Sequence, residues 1–290
     1  MEQVIVNGVY LGLQYGLVAL GLTLIFALMN VLNFAHGQMY VLGGFVTYYV
    51  YGVLGLPFVA ALLATVAGMA LVGVIFEKFF FRRVLQQSVR EESSMLLAAG
   101  TALLLESLIL IFFGEKHRGT PPLSDGVLNI FGAFIPHGRL IVMAIGACLI
   151  LGFISFMQWT RPGRALRAIA QDREAALLQG VNLNRYSALG FSIGAVLAGL
   201  AGALLVSISG VNSGLGTWVS IKAFIMVMIG GAGVVSGAIL GGFILGMLES
   251  FGYHYLHLIF PGGDTYLVIF IILIIFLAIR PQGLMGRPWG

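Results

Sequence analysis

The sequence is short of charge. Only 9% of its 290 residues are Asp, Glu, Lys or Arg, while 59% are hydrophobic; a soluble domain carries about 25% charged residues. Such a chain cannot cover itself with a water-compatible surface. Its one cysteine, Cys148, lies in an apolar run, excludes an intrachain disulfide and reads as a packing residue. The opening MEQVIVNGVY has an acidic Glu2 and no basic residue, so it does not read as a cleaved signal peptide. None of the three lysines, Lys78, Lys116 and Lys222, follows a glycine. The phosphate-cradling G-x-x-x-x-G-K-[ST] loop is therefore missing, and the chain is not expected to hydrolyse ATP itself. No paired carboxylates or nucleophile–base arrangement stands out in the apolar sequence, which argues against a membrane enzyme. No metal site is expected. His36 has no second ligand near it in sequence, and His254 and His257, close to Pro261, read as hydrated interfacial residues. The net charge of +4 does not point to nucleic acid, because the basic residues have a topological explanation.

What the chain has instead is length in apolar runs. Mean hydropathy is +1.02, and apolar segments fall at about 4–29, 38–54, 56–76, 94–113, 140–158, 188–209, 219–234, 238–260 and 265–279. Runs of roughly 20 residues cross a hydrocarbon core of about 30 Å as helices. Segments of continuous apolar character exclude a membrane β-barrel, whose strands alternate. The fold class is all-α: a polytopic transmembrane bundle of eight or nine crossings, lodged in the lipid bilayer. Basic residues then set its orientation. Segment 78–92 carries Lys78, Arg82, Arg83 and Arg90, segment 160–187 carries Arg161, Arg164, Arg167, Arg173 and Arg185, and the tail carries Arg280 and Arg287. The positive-inside rule puts these three in the cytoplasm and segment 114–139 outside. With nine crossings the N-terminus lies outside.

Glycine is abundant, 41 of 290, and falls at helical spacing in Gly8, Gly12 and Gly16, in Gly190 and Gly194, and in Gly233, Gly237 and Gly241. Small residues every fourth position let helices approach closely in lipid. Two stretches look different. NFAHGQ (33–38) is a polar, uncharged interruption of oily sequence, and IGGAGVVSGAILGGF (229–243) places Gly230, Gly231 and Gly233 between apolar runs. Each is followed by Leu-Gly-Gly-Phe, at 42–45 and 240–243, which hints at a duplicated half. Interrupted hydrophobic segments in two halves point to a transport pathway, and helix N-termini at such breaks suit a carboxylate. Asn33, His36, Gly37, Gln38, Gly230, Gly231 and Gly233 are the candidate pathway residues. The competing reading makes NFAHGQ a hydrated interfacial turn. Three ionisable residues, Glu106, Lys222 and Glu249, fall within or near apolar runs, where charge is expensive and needs a partner or a cavity. Lys222 reads as snorkelling to a membrane end. Glu106 is open to pairing with Lys222, to proton binding or to contact with a partner subunit; a structural role is favoured.

The cytoplasmic stretch RPGRALRAIAQDREAALLQGVNLNRY reads as an amphipathic helix, with Pro162 able to start it and Gly180 to end it. Leu166, Ile169, Ala170 and Leu177 fall near one face. Such a helix lies on lipid or docks into a groove on a cytoplasmic partner.

Glu174-Ala175-Ala176-Leu177-Leu178-Gln179-Gly180 resembles the E-A-A-x-x-x-G core of the coupling loop in permease subunits of bacterial ABC importers, without the I-x-L-P that usually follows. NVLNFAHGQMYVLGGF, RALRAIAQDREAALLQGVNLNRY, FSIGAVLAGLAGAL and IKAFIMVMIGGAGVVSGAILGG together are similar to the LivH-type permease of branched-chain amino acid importers, a family that also includes permeases for urea and short amides. The resemblance implies one permease domain over 1–290 in the bacterial inner membrane, with the coupling loop inside 160–187. It implies a second related permease, two cytoplasmic ATPase subunits that bind ATP and Mg, and a periplasmic substrate-binding protein, with no cofactor in this chain. Arg164, Arg167, Asp172, Glu174, Ala175 and Gly180 then map to the coupling region. The alternative is a self-sufficient channel or secondary transporter for a small polar solute such as urea or an amide.

Overall fold

The structure is a computed structural model that describes residues 1–83, 91–130, 132–259 and 265–286. Arg90, Pro261 and Arg287 lie outside the described residues, as does the side chain of His257. Every apolar segment of the sequence became a helix. α1 is Glu2–Met29, α2 His36–Thr47, α3 Phe58–Phe76, α4 Glu91–Phe113 and α5 His137–Trp159. Two short helices follow, α6 Arg161–Gln171 and α7 Arg173–Leu178. The rest are α8 Leu183–Ser209, α9 Leu215–Gly230, α10 Val235–Ile259 and α11 Thr265–Ile279. α2 runs on through a π-type turn, Tyr48–Val53, and α3 through another, Glu77–Phe81. One antiparallel hairpin, β1 Val127–Ile130 with β2 Ala133–Pro136, is the only sheet among the described residues. Among the described residues, six helices are long and apolar enough to cross a bilayer; α9 and α11 are shorter.

Helices that are apolar all round belong in the interior of a bundle. α1 and α8 are the two so placed, with 72% and 78% of their most apolar stretches buried, against 22% for α3 and for α4. The core lies on them: Leu17, Leu20, Leu24 and Ile25 of α1 and Phe191, Ala195, Ala198 and Leu204 of α8 meet Met39 and Phe45 of α2 and Met69 of α3. Leu63, Leu103, Ile111, Phe112, Leu151 and Ile274 are exposed and suit lipid. Cys148 is exposed on α5 as well, a correction to its reading as a packed residue.

Lipid tails are as apolar as the helices, so close packing must drive association. Glycine provides it. Gly8, Gly12 and Gly16 of α1 receive Met247, Phe243 and the backbone of Gly242 on α10, while a Cβ on Gly246 would stand 2.5 Å from the Gly12 nitrogen. Gly21 and Gly194 join α1 to α8, Gly43 and Gly199 join α2 to α8, and Gly73 lies against Ser192.

The two ends of the bundle sort as the charges require. Gln3 accepts from the Phe134 N–H of the hairpin at 2.9 Å, and the backbones of Arg118 and Val211 pair at 2.9 and 2.8 Å, so the 114–139 segment, the start of α1 and the end of α8 share one end. Arg82 donates to the Asn184 carbonyl at 3.0 Å, and Arg167 shares a cavity with Asn30 and Gln282, which gathers the basic segments at the other.

Replacing Gly246 by Leu is expected to lower the detergent-solubilised protein's thermal stability by about 1–3 kcal/mol through overpacking. Gly100→Leu, where nothing stands within 4 Å of an added Cβ, is expected to be neutral. Thermal unfolding of the two variants side by side checks it.

Candidate functional site

NFAHGQ is not a hydrated turn. Asn33, His36 and Gln38 are 0%, 0% and 1% exposed. α1 ends at Asn30 in the left-handed conformation (φ 53°), and the chain turns back into the bundle. There the His36 imidazole meets the Val18 carbonyl at 3.0 Å, near the middle of α1, and Gly43 lies on Gly199 near the middle of α8. Non-helical backbone at that depth has to be satisfied by protein. Asn33 does part of this, its side-chain oxygen accepting from Ala35 N–H at 3.1 Å. Ser220 of α9 adds two more bonds: its hydroxyl accepts from Gly37 N–H at 3.0 Å and donates to the Phe34 carbonyl at 2.8 Å.

That contact defines a second break, which the sequence reading placed wrongly. The partner of NFAHGQ is not 229–243 but Gly210–Gly214, GVNSG, between α8 and α9. α9 begins inside the bundle, its Gly216 pressed on Gly37 and on the Gln38 amide. α1–break–α2–α3 and α8–break–α9–α10 are thus two repeats whose first helices run in opposite directions. α10 packs along α1 as α3 packs along α8. The repeated Leu-Gly-Gly-Phe does not mark equivalent positions, since 42–45 lies in α2 and 240–243 in α10. The signal for this second break is an uncharged polar interruption, Asn212 and Ser213 between Gly210 and Gly214, comparable in kind to the uncharged Asn33, His36 and Gln38 of NFAHGQ.

Gly230, Gly231 and Gly233 serve the end of α9 instead. Gly230 meets Gly237 backbone to backbone, and Gly231 (φ 104°) turns the chain against Gly286. Gly233 (φ 80°) lines a cavity of about 810 Å³ that opens at the basic end, with Asn30, Gln158, Arg167, Gln171 and Gln282.

The intramembrane charges pair differently from the sequence expectation. Lys222 does not snorkel and does not meet Glu106. Its Nζ lies 3.0 Å from Glu249 Oε1 and donates to Tyr15 Oη at 2.7 Å, while Tyr15 donates to Glu249 Oε2 at 2.5 Å. The triad pins α9 to α1 and α10. Glu106 of α4 instead accepts from Gln38 Nε2 at 3.3 Å and Thr217 Oγ1 at 3.0 Å, beside both breaks.

The cytoplasmic stretch forms two helices, not one. Thr160 caps α6 through Gly163 N–H at 3.0 Å, and α6 buries Gly163, Leu166 and Ile169 against the bundle. Arg164 and Arg167 are exposed, and Arg167 donates to the Gln158 carbonyl at 3.2 Å. The helix breaks at Asp172, whose carboxylate caps α7 by accepting from Glu174 and Ala175 N–H, both at 2.9 Å. Of α7 only Ala176 is buried; Glu174, Ala175, Leu177 and Leu178 are exposed, as is Ala170 of α6. Gly180 (φ 80°) closes α7 in a glycine turn, with Val181 N–H reaching the Ala176 carbonyl at 3.1 Å.

An inverted pair of repeats with helices that start inside the bundle, plus a short helix held out at the basic end, defines a membrane transport permease. The family profile described as branched-chain amino acid transport system, permease component, matches residues 4–278. The chain belongs to that family. It is 31% identical to the high-affinity branched-chain amino acid transport system permease protein BraD of Pseudomonas aeruginosa, over 99% of this chain and 96% of that one. It is 32% identical to LivH of Escherichia coli K12, over 97% and 94%. It is 28% identical to a probable LivH of Methanocaldococcus jannaschii, over 94% and 89%.

Breaking one side of a buried ion pair costs about 3–5 kcal/mol, because the survivor stays buried. Lys222→Met and Glu249→Gln are each expected to destabilise strongly, and the double variant less than the sum. Unfolding of the four proteins of this cycle, in one detergent, tests the coupling.

Proposed function

We propose that this chain is the permease subunit of an ATP-driven importer that carries a branched-chain or similarly apolar amino acid across the bacterial inner membrane. The relatives' names supply the solute class. The chain works beside a second, related permease, and a periplasmic binding protein delivers the solute. Energy comes from two cytoplasmic ATPase subunits that hold ATP and Mg, in keeping with a sequence that lacks the G-x-x-x-x-G-K-[ST] loop.

The observation that carries this reading is α7. A six-residue helix at the basic end leaves Leu177 56% and Leu178 86% exposed beside Glu174. It is capped at both ends and so presented as a rigid unit. Two adjacent exposed leucines outside the apolar spans suit a groove on a cytoplasmic ATPase. α6 is seated on the bundle by Leu166 and Ile169, so a push on α7 passes to the α1 and α5 ends around the basic-end cavity. In this reading Arg164, Arg167, Asp172, Glu174, Ala175 and Gly180 form the coupling region, with Asp172 as a cap and not a contact. Asn33, His36, Gly37 and Gln38 shape the pathway wall from behind.

Mild-detergent purification at native abundance tests the assembly: two P-loop ATPases and a second permease are expected to come with the chain. Recovery of the chain alone, active in liposomes without ATP, would sink the proposal. Leu178→Ser is expected to reduce recovery of the ATPases. Gly180→Leu forces a side chain into the left-handed region at roughly 1–2 kcal/mol. It is expected to leave insertion intact and to lower the solute moved per ATP hydrolysed; wild-type coupling in that variant would remove Gly180 from the coupling region.

A further inference from the structure

Glu106 is a carboxylate in an apolar span, and among the described residues no cation pairs with it. It sits about 10 Å from the Phe113 end of α4 at a rise of roughly 1.5 Å per residue, within the depth of the hydrocarbon. α4 packs on the bundle through Ala98, Thr101, Leu105 and Ile109, and Glu106 stands at the edge of that stripe, half-buried, next to exposed Leu103 and Leu104. Its hydrogen bonds come from two neutral donors, Gln38 and Thr217. The intramembrane lysine is engaged by Glu249. A half-exposed charge at this depth cannot face lipid tails.

Its neighbours are equally telling. The first turn of α9 starts at Leu215 after Gly214, and no side chain caps it. Thr217 and Trp218 are exposed on that turn. The Gln38 amide, 1% exposed, lies on Gly216 of the same turn, and its Oε1 has no hydrogen-bond partner. A negative carboxylate and an uncapped, positive helix end therefore stand one side chain apart, Glu106 Oε2 to Thr217 Oγ1 being 3.0 Å. That is the charge pattern of a zwitterion, reversed.

Building on the amino-acid reading above, we propose that Glu106 and the first turn of α9 form the subsite that receives the transported α-amino acid. Glu106 takes the ammonium group, and the amides of the turn beyond Leu215, whose own N–H donates to the Asn212 carbonyl, take the carboxylate. Gln38 is a positioning residue: its Nε2 holds the carboxylate of Glu106, while its Oε1 offers a second acceptor beside the same turn. The subsite opens on the outer surface of this chain between α4 and α9, so the second permease closes it and the pathway runs between the two subunits.

The test uses the whole importer, reconstituted in liposomes with its binding protein, and initial uptake of radiolabelled leucine. Glu106→Gln is expected to lower uptake about tenfold or more, the loss of one charge-assisted hydrogen bond, with all subunits still co-purifying and ATP hydrolysis still stimulated by the loaded binding protein. Glu106→Asp is expected to recover part of it. Thermal shift of the complex without binding protein gives a second readout. Leucine should stabilise wild type more than 2-hydroxy-4-methylpentanoate or 3-methylbutylamine, each of which lacks one charge, and Glu106→Gln should erase the preference over the hydroxy acid. Uptake by Glu106→Gln equal to wild type overturns the subsite. So does failure of both variants to assemble, which makes Glu106 a packing residue. If wild type itself moves no amino acid, the functional reading fails first and the subsite with it.

Discussion

The structure depends on one rule of the hydrocarbon interior: backbone that leaves a helix there must find its hydrogen bonds in protein. Both repeats break a helix inside the bundle, and each break is bearable because of the other. Ser220, on the helix that follows the second break, satisfies the Gly37 N–H and the Phe34 carbonyl of the first. Gly37 and Gly216 have no side chains to hold the two turns apart. Fold and site share this contact. The same approach that repairs the backbone brings two helix N-termini together, and with them Gln38, Thr217 and Glu106.

Much of the fold was legible because hydrophobicity alone decides it. The nine apolar segments became nine helices, and the charge of the loops sorted them to two ends. The glycine spacing in α1 did report close packing, against α10. What stayed hidden was pairing across long sequence distances. Lys222 and Glu249 are 27 residues apart on different helices, and no periodicity says that they meet. Glu106 looked equally suited to Lys222. The break at 229–243 was overvalued because it holds more glycines, yet glycine there serves a left-handed turn and a helix crossing. GVNSG carries the shorter signal, two uncharged polar residues between glycines, against three in NFAHGQ. A single cytoplasmic helix was expected because alanines favour one. Asp172 overrode them by offering its carboxylate to the Glu174 and Ala175 amides, a local competition that propensity sums do not register.

Tertiary pairing divides the bundle into two units that cut across the repeats. α1, α9 and α10 are joined by the glycine seam and by the Tyr15–Lys222–Glu249 triad. α8, α2 and α3 are joined by Gly43 on Gly199, by Gly73 on Ser192 and by the Thr47–Thr65 hydroxyl pair at 3.0 Å. Each repeat has lent its first helix to the other unit. The units meet along α1 and α8, through Gly21, Gly190 and Gly194, where His36 of α2 meets the Val18 carbonyl of α1, and at the two breaks, through Gly37, Gly216 and Ser220. Interiors packed this closely repack between discrete arrangements and do not deform smoothly. In the coupling proposed above, a displacement delivered at α6 and α7 meets two closely packed units and one joint. The joint holds the uncharged polar residues. That is the reason for polarity without charge at both breaks: Asn33 and Ser220 satisfy backbone, Gln38 holds the Glu106 carboxylate, and neutral hydrogen bonds can exchange partners at a depth where separating an ion pair is prohibitive. Charge is kept for the clamp within one unit, and for Glu106, which stands where the joint meets the surface.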